Sequence, residues 1–237
     1  MDKQKIRAIA NDLINESIVC NRKAAILRKL LQSNEIVDAF NQRQAGKTLG
    51  LLRSALYRDL ALQCFNGLVD SDWRAISFFQ VHNLLSDSTT SDLLDGLKED
   101  FAMPRLSLYN SDGALAIHEY ETLKSQLREK DKTKFDQQIH KLRAMAQRFE
   151  KNGGDFNRIR ELRDKVLAHN ELAELSGMPF SQQAAELKYG ELWGFVRALQ
   201  EAATLLHSVC NNAAFDFSGA DDINLREAEN FVAVFLK

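Results

Sequence analysis

The sequence predicts an all-α protein, a helical bundle carrying additional helices at its N- and C-terminal ends. Two observations lead there. Only Pro104 and Pro179 interrupt 237 residues rich in Leu, Ala, Glu, Lys and Gln, which favour helix. Apolar residues also recur in steps of three and four over long segments, which lines them along one stripe of a 3.6-residue period.

Taken in order, the first segment, Lys5 to Gln32, carries Ile6, Ile9, Leu13, Ile18, Ile26 and Leu30, a spacing that fits one long helix or two short ones. A polar stretch, Ser33 to Lys47, follows. The period then strengthens at Leu49, Leu52, Leu56, Leu60 and Cys64, so Gln44 to Leu68 reads as a central helix. Asp70 or Ser71 is expected to cap a short helix containing Trp73, Ile76 and Phe79 and ending near Leu85. The run Ser86 to Ser91 is a loop whose last residues cap Asp92 to Phe101, with Leu93, Leu94 and Leu97 facing inward. Pro104 ends that helix, and residues 102 to 113 form a second loop, the best joint between an N-terminal layer and the rest.

From Ala116 to Asn152 the chain is rich in charge, and the alternating signs of Arg128 to Lys134 mark a solvated helix face or a short break. Phe135, Ile139, Leu142, Ala146 and Phe149 then repeat at helical steps until Asn152-Gly153-Gly154 stops them. Asp155 is expected to cap the next helix, Phe156 to Leu172. Ser176 to Pro179 is a further loop, close enough to His169 to overhang it. Glu191 to Cys210 is the last bundle helix, turning Leu192, Phe195, Val196, Leu199, Ala203, Leu206 and Val209 inward. In the tail, Asn211 to Ala220 reads as loop, Asn224 and Glu227 resemble a capping box, and Leu225, Ala228, Phe231, Val232 and Phe235 make an amphipathic helix. We therefore expect a bundle domain over residues 1–210, with the loop and helix of 211–237 packed on it.

Length and charge narrow the function classes. The chain is long enough to bury a substantial core. Its 31 basic and 33 acidic residues leave a net charge of −2, so any RNA site must be local rather than a global basic field. Cys20, Cys64 and Cys210 are odd in number and sit at apolar helix positions, which favours reduced thiols and a cytoplasmic setting. The polar Met1 to Arg7 lacks a signal-peptide core, and no segment approaches the length of a membrane span.

One helix concentrates the chemistry. Arg163-Asp164-Lys165-Val166-Leu167-Ala168-His169-Asn170 combines a cation, a carboxylate and a titratable base, the parts needed to bind a phosphate and move a proton. Six helical residues turn about 600°, leaving Arg163 and His169 roughly 120° apart around the axis. His169 falls on the buried stripe Ile159, Leu162, Val166, whereas Arg163 lies on the neighbouring face with Leu167 and Asn170. The same pair also fits a core histidine beside a surface arginine. Arg58 or Asp59 of the central helix could orient Arg163, though an ordinary helix–helix ion pair accounts for them as well. No other histidine or cysteine has metal-site spacing, and neither Gly46-Lys47-Thr48 nor Gly153-Gly154 completes a phosphate loop. No cofactor or metal is expected.

The filled pattern from Arg163 to His169 resembles the signature of the HEPN superfamily, in which arginine, a polar residue (usually Asn, Asp or His), several variable residues and histidine share one helix of an all-α bundle. It is most similar to the abortive-infection, AbiU-like branch, and the helical layout from residue 5 to 210, including Leu56-Tyr57-Arg58-Asp59-Leu60, is compatible with that branch. The resemblance implies a metal-independent endoribonuclease acting as a homodimer, a toxin or antiphage effector with a composite cleft and, in some settings, an antitoxin. Arg163 would hold the scissile phosphate and His169 would transfer protons. Asp164 would orient Arg163, Lys165 could add a phosphate contact, and Asn170 would support the site. The related toxins paired with MNT nucleotidyltransferases carry a tyrosine two residues after the histidine; here Glu171 stands there, which argues against silencing by adenylylation. The superfamily also implies an alternative, a non-catalytic module that binds RNA or a protein partner.

Overall fold

The computed structural model describes residues 3–40, 44–70, 77–86, 91–102, 117–150, 154–164 and 189–235. Nine helices, and no strand, occur among the described residues. They are α1 (Lys3–Gln32), α2 (Asn34–Phe40), α3 (Gln44–Val69), α4 (Phe78–Ser86), α5 (Ser91–Ala102), α6 (Ile117–Arg148), α7 (154–164), α8 (Tyr189–Asn211) and α9 (Phe217–Phe235).

The centre is α1 against α8. Arg7 Nε donates to the Cys210 carbonyl at 2.8 Å at one end, and the Arg28 guanidinium covers Trp193 at the other, so the two helices run antiparallel. Small buried residues line both, Ala10, Ser17, Cys20 and Ala24 on α1 with Ala198, Ala202 and Ala203 on α8. Ser17 satisfies its buried hydroxyl by donating to the Leu13 carbonyl at 2.7 Å, one turn back.

The helix α3 is also antiparallel to α1, since Cys64 lies beside Cys20 and Arg53 Nε donates to the Leu30 carbonyl at 3.1 Å. It packs closely on α8: a Cβ added at Gly67 would lie 2.7 Å from a Leu199 methyl. On the other flank, α5 meets α6 through Phe101 and Phe135, ring centroids 5.5 Å apart, and through Lys98 and Asp136 at 2.7 Å. The buried stripe Phe135, Ile139, Leu142, Ala146 and Phe149 joins α6 to the main core, as do Ile159 and Leu162 of α7.

Several expectations shift in detail. The first segment is one helix, ended at Gln32, and Ser33 Oγ accepts from Ile36 N at 3.3 Å to cap the short α2 inside the polar stretch. The short helix before Leu85 is capped by Ser77, whose Oγ accepts from Gln80 N at 3.1 Å; Ser71, Trp73 and Ile76 lie outside the described residues. The charged run Arg128 to Lys134 is continuous helix, and Arg128 and Lys132 both reach Glu99 of α5. Asp155 stands inside α7 rather than capping it, bridging Arg148 at 2.8 Å and Arg158 at 3.6 Å.

The largest correction concerns the tail. Helix α9 starts at Phe217, seven residues before the expected capping box, because Asp216 supplies the cap: its Oδ1 accepts from Ser218 N at 2.9 Å. Asn224 is therefore mid-helix and buried, accepting from Arg22 Nε at 3.5 Å, while Glu227 pairs with Arg22 at 2.7 Å. The face against α1 is Asn224, Ala228 and Val232, and Leu225 points out, 45% exposed. Lys29 and Glu229, 2.8 Å apart, add a second ion pair along this seam.

Two measurements test this packing. Gly67→Val places two methyl groups where not even one fits, and should lower stability by about 1–3 kcal/mol in chemical denaturation; an unchanged midpoint would contradict the close approach of α3 and α8. The Glu99 carboxyl is held at about 2, below its ordinary 4.5, first by its hydrogen bonds from Lys132 and Arg128. Its folded value is depressed, so the stability it contributes is full above about pH 4.5 and is lost as pH falls toward 2. Glu99→Gln should flatten the acid limb of a stability–pH curve in that window.

Candidate functional site

Burial of Ile159 and Leu162 fixes the roll of α7 about its axis. That roll sets Arg163, the next residue, at the edge of the core, where its side chain is 28% exposed. There the guanidinium lies over the face of Phe65 on α3, with Cζ 4.2 Å from the ring centroid. Both Nε and Nη2 donate to Asp164 Oδ1, at 2.9 and 2.6 Å. Those bonds use two of five guanidinium N–H groups and leave the Nη1 hydrogens outside the Asp164 contact.

The other Asp164 oxygen lies 3.6 Å from Arg160 Nε, so one carboxylate ties together two arginines on the solvent side of α7. Arg158 adds a third cation to this helix and reaches Glu191 of α8 at 3.8 Å. A cation over an aromatic ring, held by a neighbouring carboxylate, can accept a tetrahedral anion through the N–H groups that no described residue takes.

Of the residues singled out in the sequence, the structure brings Arg163 and Asp164 into contact; Lys165, His169 and Asn170 lie outside the described residues. Asp59 does not turn toward Arg163: its carboxylate takes the ammonium of Lys23 on α1, the ordinary helix–helix pair. Sequence reasoning missed Phe65. It follows Cys64 and so stands one position off the buried stripe, and nothing local to either segment signals that a residue nearly a hundred positions away will cover it.

Other reactive groups are engaged elsewhere. Cys20 and Cys64 share a buried contact at 3.8 Å as free thiols, and the hydrogen bond with Cys20, followed by burial, raises the Cys64 thiol well above its usual range. Burial pushes Cys210 up to about 12. Neither supplies a thiolate at neutral pH. His82, lowered chiefly by burial, contacts Ser86 Oγ at 3.1 Å, and His207 Nδ1 lies 3.0 Å from the Ala213 carbonyl. Among the described residues no group of three His, Cys, Asp or Glu side chains could hold a metal ion, and no helix is long and apolar enough to cross a membrane.

The Phe65–Arg163 stack has a measurable energy. A double-mutant cycle with Phe65→Leu and Arg163→Met should give a coupling of about 0.5–1 kcal/mol in unfolding free energy; additive losses would mean that the ring and the cation do not interact.

Comparison with known proteins agrees with the all-α bundle. No curated protein and no solved structure matches the chain. The HEPN family model described as AbiU2 matches residues 3–231, from the start of α1 into the last turns of α9. With so much of its length inside that match, the chain belongs to the AbiU2 family of HEPN domains.

Proposed function

We propose that this protein is an endoribonuclease of abortive-infection type that cuts RNA without a metal ion and is toxic to the cell that makes it. Membership of an abortive-infection HEPN family supports the setting. The observation that carries the chemistry is Arg163, its guanidinium held between Phe65 and Asp164 with one edge that no described residue takes. In this reading Arg163 binds the scissile phosphate and stabilises the charge that develops on it. His169 takes the proton of the 2′-hydroxyl as its oxygen attacks phosphorus, or returns one to the 5′-oxygen as the P–O5′ bond breaks. The products are a 2′,3′-cyclic phosphate and a 5′-hydroxyl. Lys165 adds a phosphate contact, Asn170 supports the site, and Asp164 keeps Arg163 in plane.

By the helical period of the sequence, cation and base of one copy fall on adjacent faces. The reading therefore pairs two motif helices across a two-fold axis, each completing the other's site. A second reading, a binding module without catalysis, draws on the near-balanced charge of the chain and on Glu171 beside the proposed phosphate site.

Purified protein incubated with RNA decides between them. His169→Ala should lower the cleavage rate by about 10²–10⁴-fold, and Arg163→Ala should do at least as much, with helicity and dimerisation retained. Cleavage should persist in EDTA and leave cyclic phosphate ends. Equal cutting by the wild type and both variants would remove the nuclease reading, and a strictly monomeric, active protein would remove the composite site.

A further inference from the structure

A second group of cations and rings lies where α1, α3 and α8 converge. Arg28 holds its Cζ 4.6 Å from the ring centroid of Trp193. Tyr189, one turn earlier on α8, stacks on Trp193 at 26° and 6.4 Å and meets Tyr57 of α3 edge-on at 5.1 Å. Arg53 closes one end through its bonds to the Leu30 carbonyl, and the exposed Arg197 stands one turn beyond Trp193 at the other. Trp193 and Tyr189 are half-buried.

Among the described residues the charges of this ledge are not paired as those around it are. Along α1, Lys3 and Arg7 pair with Asp100, Arg22 with Glu227, Lys23 with Asp59 and Lys29 with Glu229. Among the described residues no carboxylate comes within ion-pair distance of Arg28, Arg53 or Arg197. Burial lowers the Arg28 pKa most, and the neighbouring Arg197 guanidinium lowers it further. Asp221 opposes them in part, but its Oδ1 is already shared by Asn21 and Gln200. Two guanidiniums that repel beside stacked rings, in a molecule of net charge −2, are stabilised by an incoming anion whose other face is aromatic.

We infer that the Arg28–Trp193–Tyr189 ledge, with Arg197 and Arg53 at its ends, binds single-stranded RNA flanking the cut. Arg28 and Arg197 take backbone phosphates, and the rings of Trp193 and Tyr189 take bases by stacking, a combination that holds a strand with little sequence preference. The same helix serves both places, since Tyr57 at the ledge and Phe65 under Arg163 are eight residues, about 12 Å, apart along α3. The inference rests on RNA as the substrate of the Arg163 site, so its test reads binding without cleavage.

Trp73 and Trp193 are the only tryptophans, so Trp73→Phe leaves Trp193 as the sole tryptophan emitter in the full-length chain. Its fluorescence is titrated with a 2′-O-methyl oligouridylate, which has no hydroxyl to attack. We expect saturable quenching, several-fold weaker binding in Arg197→Gln and Arg28→Gln, and a salt dependence whose log–log slope falls by about 0.7 for each lost phosphate contact. Arg197 is exposed, so its variant keeps the fold. An Arg197→Gln protein with unchanged affinity and slope overturns the ledge even if the wild type cuts RNA. Equal quenching by polyglutamate at matched charge also overturns it and assigns the surface to an acidic protein. Binding with the expected variant pattern in a protein that never cuts RNA upholds the ledge and removes the nuclease reading alone.

Discussion

The structure depends on how closely α1 and α8 approach. Ser17 Oγ lies 3.5 Å from the Leu199 carbonyl, a contact between the side chain of one helix and the backbone of the other that only small residues along the seam permit. Ala10, Ala24, Ala198, Ala202 and Ala203 give up side-chain volume there, and the helices recover it as dispersion contact over their length. Helix α3 continues the same economy through Gly67, which sits against Leu199. The remaining helices then pack around a narrow centre.

That centre positions the site at a distance. Because α3 is pinned along α1 and α8, the ring of Phe65 is a fixed surface and not a mobile side chain on a lone helix. Ile159 and Leu162 anchor α7 in the same core, so Arg163 meets the ring with little freedom left to lose. Asp164 then selects the plane of the guanidinium. The cost of ordering a long side chain, up to about 2 kcal/mol, is met by folding and would not fall on an anion bound there.

Much of the fold was legible from periodicity. The stripes of α6 and α8 are buried throughout and that of α3 at Leu49, Leu60 and Cys64, because a long stripe with three- and four-residue steps admits one inward face. Helix ends were less legible. Asn224 and Glu227 have the composition of a cap, yet both are used laterally against Arg22, while Asp216 caps eight residues earlier. Capping side chains and seam side chains are the same residue types, and sequence alone does not say which backbone amides are unpaired. Asn212 shows the converse at the end of α8: its left-handed φ of 51° terminates the helix, and its amide donates to the Phe101 carbonyl of a different helix at 2.8 Å.

The sequence by itself determined the all-α class, the order of the long helices, and the placing of Arg163 and Asp164 together with a buried stripe, because each of these is local or periodic. It also carried the family, through the order of residues on one helix. The tertiary structure alone decided that Phe65 lies under Arg163, that Asp59 belongs to Lys23, and that Arg28, Trp193, Tyr189 and Arg53 form one ledge. Apart from the Tyr189–Trp193 stack, these contacts join residues tens to more than a hundred positions apart. Which helix faces meet follows from how all of them share one core, and no single stretch of the chain contains that information.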